Sequence, residues 1–214
     1  MEEKGDVVLK TIEAYDEFAG DYVQRNSDVD RSRLFLDFFL DGLRSVPGKK
    51  LLDVGCAQGR DSKHLANYGY DVIGVDLSEK LLEIARKNAP NLKFCKMDMR
   101  NLEFPENSFD GIWAMASFLH IPKQEAKKTL GEFYRVLKKD SLLYICVKEG
   151  QGEESVKYPL GDKERFFAYY SPDEFSELIQ AKDSNYDFEI ARNMSSKETI
   201  RNIKWINIYA RARK

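Results

Sequence analysis

The chain has 214 residues, of which 43% are hydrophobic and 33% charged, with 34 lysines and arginines against 36 aspartates and glutamates. This length fits one domain, the apolar content excludes a disordered chain, and no stretch approaches the roughly 20 apolar residues of a membrane span. The net charge of −2 argues against a protein whose main task is to bind a phosphate backbone.

Cysteine and histidine usage predicts a cytoplasmic protein without a metal site. The three cysteines lie far apart and form no Cys-x-x-Cys pair, which argues against a disulfide framework or a cysteine zinc site. Only two histidines are present, so a site built from histidines is not expected. Residues 1–18 are charged and contain no apolar run, and we therefore expect no signal peptide.

Two amphipathic helices are predicted ahead of the first strand. Residues 6–25 carry apolar and aromatic side chains at helical spacing, and residues 30–45 repeat that pattern before Pro47 and Gly48 end it.

From residue 49 to residue 148, short apolar runs alternate with helical patterns. Strands are predicted at residues 49–54, 71–76, 92–97, 109–116 and 141–148. Helices are predicted at residues 59–68, 78–88 and 122–138. Strands that are apolar throughout are expected where helices cover both faces of a parallel sheet, and the alternation indicates right-handed βαβ units. The middle of the chain is therefore predicted to be a doubly wound α/β domain.

The last quarter of the chain follows a different pattern. Residues 150–170 are predicted to form a long connection rich in glutamate, lysine and aromatic residues, and residues 171–174 (SPDE) predict a capped helix start. Two strands follow, near residues 186–194 and 203–211. Because only a few residues separate them, they should pair antiparallel.

Three aspartates are predicted to lie at the carboxyl ends of neighbouring strands. Asp53 precedes the small-residue turn at residues 55–59, Asp76 closes the second strand, and Asp98 closes the third. A strand that leads into such a turn and then a helix builds a corner for an anion or a cofactor. Asp76 suits the hydroxyls of a ribose, and Asp98 with Met99 suits an adenine. Open α/β sheets bind ligands at this edge, so the three acids together predict a nucleoside site.

The sequence motifs and their order along the chain resemble those of class I S-adenosylmethionine-dependent methyltransferases, in particular small single-domain members of types 11 and 25. The resemblance covers about residues 11–150 and rests on DVGCAQG (53–59), GVDLS (74–78), KMD (96–98) and FDGIWA (109–114). It implies a seven-stranded, mostly parallel, Rossmann-like sheet of order 3-2-1-4-5-7-6, with helices on both faces.

The resemblance also implies how a single domain over residues 1–214 is divided. Residues 1–46 would form an N-terminal helical lid, and residues 47–150 the cofactor-binding core. Residues 151–214 would supply a substrate loop, a helix and the antiparallel strand pair.

The cofactor implied by the resemblance is S-adenosylmethionine. The residues assigned to its methionine end are Asp53, Gly55, Cys56, Ala57 and Ala114. Those assigned to the ribose and the adenine are Asp76, Leu77, Asp98 and Met99. Those assigned to a lid that closes over the cofactor are Tyr15, Tyr22 and Arg25, the last of which would pair with the cofactor's carboxylate.

Ala57 departs from the family pattern, because many members carry glycine there. Alanine enters a φ > 0 conformation only with strain, which puts the turn geometry in question. The same position bears on an alternative, a nicotinamide-dependent oxidoreductase. The glycine motif with which such enzymes bind a dinucleotide would need glycines at positions 55, 57 and 60, whereas this chain has Ala57 and Arg60. A second alternative is a module that binds S-adenosylmethionine without catalysis, which the sequence leaves open.

His120 follows the fourth predicted strand and is therefore expected at the same sheet edge as the acids. It is our candidate general base, although it would serve equally to cap the next helix. The reaction expected is in-line methyl transfer to an O, N or S nucleophile. The charge balance favours a small-molecule acceptor, with nucleic acid and protein acceptors left open and no membrane partner. Residues 150–170 would select the acceptor.

Overall fold

The computed structural model describes residues 6–28, 30–198 and 202–214, which form seven α-helices, one short 3-10 helix (Phe118–His120) and nine strands. The helices are α1 (Val7–Glu17), α2 (Ala19–Arg25), α3 (Asp30–Leu43), α4 (Arg60–Asn67), α5 (Glu79–Asn88), α6 (Lys123–Val136) and α7 (Pro172–Ile179). The strands are β1 (Lys50–Val54), β2 (Asp71–Asp76), β3 (Lys93–Lys96), β4 (Phe109–Ala114), β5 (Leu137–Lys148), β6 (Glu153–Lys157), β7 (Glu164–Ala168), β8 (Phe188–Glu198) and β9 (Ile203–Ala212).

Seven of these strands form one sheet in the order β3-β2-β1-β4-β5-β9-β8. The first five are parallel, whereas β9 runs antiparallel to β5 and β8 runs antiparallel to β9. Strands β6 and β7 pair only with each other. When this hairpin is left out of the numbering, the order is the predicted 3-2-1-4-5-7-6, and the predicted α/β class is confirmed.

Helices cover both faces of the sheet and bury its apolar side chains in separate clusters. Leu52 packs in one cluster with Phe133 of α6, whereas its neighbour Leu51 packs in the other with Phe39 and Leu43 of α3. Successive strand residues point to opposite faces, so a strand between two helical layers needs apolar residues at every position. This arrangement explains the continuous apolar runs in the sequence.

The structure differs from the prediction for residues 6–25, which form two helices instead of one. The break falls at Phe18, which leaves helical geometry at φ −108° and ψ 26°. The Phe18 ring stacks on Tyr158, with centroids 4.4 Å apart. This long-range aromatic contact, next to the weak helix former Gly20, explains the break.

The long connection predicted for residues 150–170 is also wrong, because this segment contains the β6–β7 hairpin. Strand β7 (ERFFA) is held by α1: the Phe166 backbone N–H donates to Thr11 Oγ1 at 2.9 Å. The next helix starts as predicted, with Ser171 and Glu174 forming a capping box and Pro172 at the first helical position. Across the described ranges, no helix combines the length and apolar character needed to cross a membrane.

Candidate cofactor-binding and active site

The turn between β1 and α4 is built from residues with left-handed backbone conformations. Gly55, Ala57 and Gly59 have φ values of 72°, 47° and 73°. The Gly55 backbone N–H donates to the Val75 carbonyl at 2.8 Å, which ties the turn to β2. A Cβ atom on Gly55 would lie 2.3 Å from Ser117 Cβ, closer than van der Waals contact allows. The turn therefore brings the backbone against its neighbours in a way that only glycine permits at position 55.

Ala57 adopts the conformation that the sequence analysis expected to need glycine. Its backbone N–H donates to Asp76 Oδ2 at 2.9 Å. A hydrogen bond to a carboxylate is stronger than one between neutral groups, and it offsets the strain of the left-handed alanine. The turn geometry is therefore kept despite the substitution, and the doubt raised by Ala57 is removed.

Asp76 presents a partly used carboxylate at the end of β2. Its Oδ2 accepts from the Ala57 N–H, and its Oδ1 accepts from the Ser78 N–H at 2.9 Å. A carboxylate has about four lone-pair sites, so about two remain for a ligand, the number that the two hydroxyls of a ribose require. Burial raises the pKa of this carboxyl, and hydrogen bonds from the backbone N–H groups of Ser78, Ala57 and Leu77 oppose that rise.

The four residues predicted to contact the ribose and adenine, Asp76, Leu77, Asp98 and Met99, line one narrow cavity of about 70 Å³. Apolar side chains dominate its walls, and Val8, Ile12 and Tyr15 of α1 close one side. The structure thus brings the predicted residues together beneath the first helix.

The carboxylate of Asp98 is not an open acceptor, because it holds Arg100. The two side chains form an ion pair of 2.7 Å, and Arg100 also pairs with Asp6 at 2.8 Å and with Glu125 at 3.3 Å. Asp98 lies where the sequence predicts it, but its carboxylate is already engaged by Arg100. Arg100 was not predicted from the sequence, although a cation two residues after an acid in a loop was a usable signal.

A larger cavity of about 700 Å³ lies beside the turn, and Asp53 is on its wall. Ser62 Oγ donates to Asp53 Oδ2 at 2.5 Å. Burial, together with the negative charge of Asp61, raises the pKa of Asp53 to about 8. Asp61 itself pairs with Arg60 at 2.7 Å and accepts from Trp113 Nε1 at 3.1 Å. Asp61 and Arg60 also line this cavity, and neither was predicted from the sequence as a site residue.

Two predicted cofactor contacts are placed differently. Ala114 is fully buried inside β4 and is part of neither cavity wall, so its place beside the sulfonium stays a prediction. Ala116, past the end of β4, lines both cavities. Arg25 does line the larger cavity, but it pairs with Asp21 on its own helix at 2.8 Å. The remaining predicted residues, Tyr15, Tyr22, Gly55, Cys56 and Ala57, line one or both cavities.

Tyr15 and His120 form a hydrogen-bonded pair where the two cavities meet. The Tyr15 hydroxyl lies 2.9 Å from His120 Nε2, and His120 Nδ1 lies 2.7 Å from the Phe166 carbonyl. A carbonyl only accepts, so Nδ1 carries the proton and Nε2 accepts from the Tyr15 hydroxyl. Burial lowers the pKa of His120 to about 3, which makes the ring neutral near pH 7.

We expect the low pKa of His120 to make the protein less stable in weak acid. The unfolded chain binds a proton at His120 near pH 6.5 and the folded chain near pH 3, so stability is lost as the pH falls between these values. The contribution of His120 to the free energy of unfolding should fall by about 1 kcal/mol from about pH 6 to about pH 5.

Urea denaturation of the wild type and of His120→Gln measures this contribution. Glutamine keeps a donor for the Phe166 carbonyl and an acceptor for Tyr15, but it does not titrate. The variant should therefore lose less stability over the same pH interval. Equal losses in the two proteins would show that the pKa of His120 is not depressed.

Comparisons with known proteins identify the fold and the core. Residues 51–140 match the family model described as a methyltransferase domain. A demethylmenaquinone methyltransferase of Symbiobacterium thermophilum is 38% identical over 115 residues, which cover 48% of this chain and 43% of the relative. Phosphoethanolamine N-methyltransferase 3 of Arabidopsis thaliana is 38% identical over 105 residues, 47% of this chain and 21% of the relative. The chain thus spans less than half the length of these two relatives.

Solved structures share the fold at lower sequence identity. The 1,6-didemethyltoxoflavin-N1-methyltransferase of Burkholderia thailandensis, solved with S-adenosylhomocysteine, superposes with a TM-score of 0.76 at 19% identity, covering 97% of this chain and 88% of that one. The [4+2]-cyclase SpnF superposes with a TM-score of 0.67 at 19% identity, covering 84% and 80%.

The sheet order defines an open α/β domain whose switch point lies at β1, between β2 and β4, and the turn that follows β1 lines both cavities. The family match over residues 51–140 supports a class I S-adenosylmethionine-dependent methyltransferase core. This match argues against the nicotinamide-dependent alternative.

Proposed function

We propose that this protein transfers the methyl group of S-adenosylmethionine to an O, N or S nucleophile of a small-molecule acceptor by in-line displacement. The observation that carries the proposal is the half-buried Asp76 carboxylate, which keeps acceptor sites free beside a turn whose backbone a ligand can approach closely. When bound, S-adenosylmethionine supplies a methyl group that its positive sulfonium already activates.

The two cavities support a division between cofactor and acceptor. The narrow cavity beside Asp76 would hold the ribose and the adenine, and the larger one would hold the methionine end and the acceptor. They share wall residues, among them Tyr15, Gly55, Ala57 and His120. A methyl group presented at this shared wall would face an acceptor in the larger cavity, and positioning of the reactants would supply most of the acceleration.

Helices α1 and α2 would act as a lid. The narrow cavity, about 70 Å³, is too small for a nucleoside while Val8, Ile12 and Tyr15 close it. We propose that α1 moves outward to admit the cofactor and then returns. A fixed point of this motion would be Asp16, whose Oδ1 accepts from Ser78 Oγ at 2.6 Å. Residues 1–214 would work as a single domain around this site.

His120 is better suited to position Tyr15 than to act directly as a base. Both of its ring nitrogens are engaged, and protonating a group of pKa about 3 at pH 7 costs on the order of 5 kcal/mol. By accepting the hydrogen bond from the Tyr15 hydroxyl, His120 fixes the hydroxyl oxygen with its lone pairs facing away from the imidazole. That oxygen, together with the Tyr22 ring, whose centroid lies 5.2 Å from the centroid of the Tyr15 ring, offers a positive centre a favourable environment.

An acceptor of small-molecule size fits the larger cavity, because small-ligand pockets typically measure about 300–1,000 Å³. Its walls come from both the sheet and the β6–β7 hairpin, which carries Tyr158, Arg165 and Phe167. The named substrates of the relatives, such as demethylmenaquinone and didemethyltoxoflavin, are small molecules too. The three cysteines are unpaired thiols, which supports a reducing, cytoplasmic location.

Two measurements test this proposal. Calorimetric titration with S-adenosylhomocysteine should show one site per chain. Incubation with methyl-labelled S-adenosylmethionine and a panel of small O-, N- and S-nucleophiles should then give a labelled product. No binding would overturn the proposal. Tight binding without transfer to any acceptor would favour a non-catalytic S-adenosylmethionine-binding module.

A further inference from the structure

Arg165 of strand β7 places a cation on the wall of the larger cavity, among aromatic rings. Its guanidinium carbon lies 4.6 Å from the ring centroid of Tyr158, 5.3 Å from that of Phe167 and 5.7 Å from that of Tyr15. Aromatic faces attract a guanidinium and restrict where it can go, but they accept few of its N–H bonds.

Arg165 differs from two other arginines of the same cavity wall in its lack of an acidic partner. Arg60 pairs with Asp61 and Arg25 with Asp21, whereas no ion pair involves Arg165 within residues 6–28, 30–198 and 202–214. Its Nε atom is buried and donates to no acceptor in that part of the chain. Arginine stays charged at any physiological pH, so a positive charge and an unused N–H donor are held at the cavity.

A buried donor without an acceptor destabilises the fold, and such a group in a native structure calls for an explanation. An oxyanion in the cavity would supply both the countercharge and the acceptor that Arg165 lacks. The planar fork of arginine matches a carboxylate or a phosphate in particular, through two parallel hydrogen bonds.

We propose that Arg165 binds an anionic group of the methyl acceptor, a carboxylate or a phosphate, while the flat or apolar remainder of the acceptor lies against the aromatic wall. This inference rests on the proposed function, since it assigns the larger cavity to the acceptor. Phe35, Phe167 and Trp205 provide that wall. Tyr15 contacts both His120 and the Arg165 guanidinium, so the anion binds next to the shared wall of the two cavities. Arg165 is thus a specificity-determining residue that favours anionic acceptors over neutral analogues.

Binding of simple probes tests this assignment. The protein, saturated with S-adenosylhomocysteine, is titrated calorimetrically with phenyl phosphate, with benzoate and with neutral benzamide. The wild type should bind at least one anion about tenfold more tightly than benzamide, and Arg165→Gln should weaken that anion at least about tenfold. Tighter binding of phenyl phosphate would identify the acceptor's anionic group as a phosphate, and tighter binding of benzoate would identify it as a carboxylate. The matched control is Arg192→Gln, because Arg192 also stacks on an aromatic ring, 4.1 Å from the Phe38 centroid, but outside the cavity walls.

The assignment would be overturned if the wild type bound benzamide as tightly as the anions, or if Arg165→Gln bound the anions as tightly as the wild type. It would also be overturned if Arg165→Gln lost affinity for S-adenosylhomocysteine. The last would mean that Arg165 holds the carboxylate of the cofactor. If the wild type fails to bind S-adenosylhomocysteine, the proposed function fails on its own, and the same anion titrations of the free protein still decide whether Arg165 is an anion site.

Discussion

Replacing Gly55 by alanine should lower the free energy of unfolding by about 2–5 kcal/mol. Gly55 has φ 72°, and the left-handed conformation costs an alanine about 1–2 kcal/mol. The new methyl group would also lie 2.3 Å from Ser117 Cβ, an overlap that adds about 1–3 kcal/mol. Ser117 cannot easily retreat, because its hydroxyl donates to the Val54 carbonyl at 2.6 Å.

Ala57→Gly is the matched control, because it makes the opposite exchange in the same turn. Glycine removes the strain of φ 47° but adds freedom to the unfolded chain, and the net gain should be about 0.5–1 kcal/mol. Urea denaturation of the three proteins, with equal m-values, gives the comparison. If the Gly55→Ala protein were as stable as the wild type, the turn would accommodate a methyl group at position 55, contrary to the overlap with Ser117.

Local patterns were sufficient to predict the sheet and its ligand edge. Residues 71–76 (DVIGVD) were predicted as a strand with the bounds that β2 has, because an apolar run lies between two aspartates. The same pattern placed Asp76 at the end of β2, where its carboxylate meets the turn from β1. A short segment alone encodes where a buried strand stops, so the acids at strand ends can be recognised without knowing the packing.

Contacts between distant parts of the chain could not be predicted in this way. The break at Phe18 depends on Tyr158, and the position of β7 depends on Thr11 of α1. Both pairs are more than a hundred residues apart in the sequence, so a local window holds no trace of them. For the same reason, Arg165 appeared in the sequence only as one basic residue in a mixed segment, and its missing acidic partner became visible in the folded chain.

Asp98 shows how a correctly placed residue can still have a different environment. The strand pattern locates it at the end of β3, but it does not indicate that Arg100 would engage its carboxylate and join it to Asp6 of the lid. The side chain that the motif assigns to the adenine therefore also anchors α1. For this reason Asp76, whose carboxylate contacts only backbone N–H groups in its hydrogen bonds, is the clearer test of the cofactor site.

Asp76→Ala should weaken S-adenosylhomocysteine binding by about 1.5–3 kcal/mol, or roughly 10- to 150-fold, the usual range for losing hydrogen bonds to a charged group. The expected loss has two sources. The carboxylate would no longer accept from the ribose hydroxyls, and the Ala57 N–H that it now holds would be released. Calorimetric titration of the purified variant measures the change directly.

Asp71→Ala, at the other end of β2, is the control for the strand itself. Asp71 is exposed, and its side chain lies outside both cavity walls, so this variant should bind the ligand as the wild type does. Asp76→Asn separates the two sources of the loss. Asparagine keeps one acceptor oxygen but turns an N–H group toward Ala57 or Ser78, so its affinity should fall as well while the side-chain volume is kept. If both Asp76 variants bind the ligand as tightly as the wild type does, the ribose does not bind at the end of β2, and the basis for placing the cofactor there is lost.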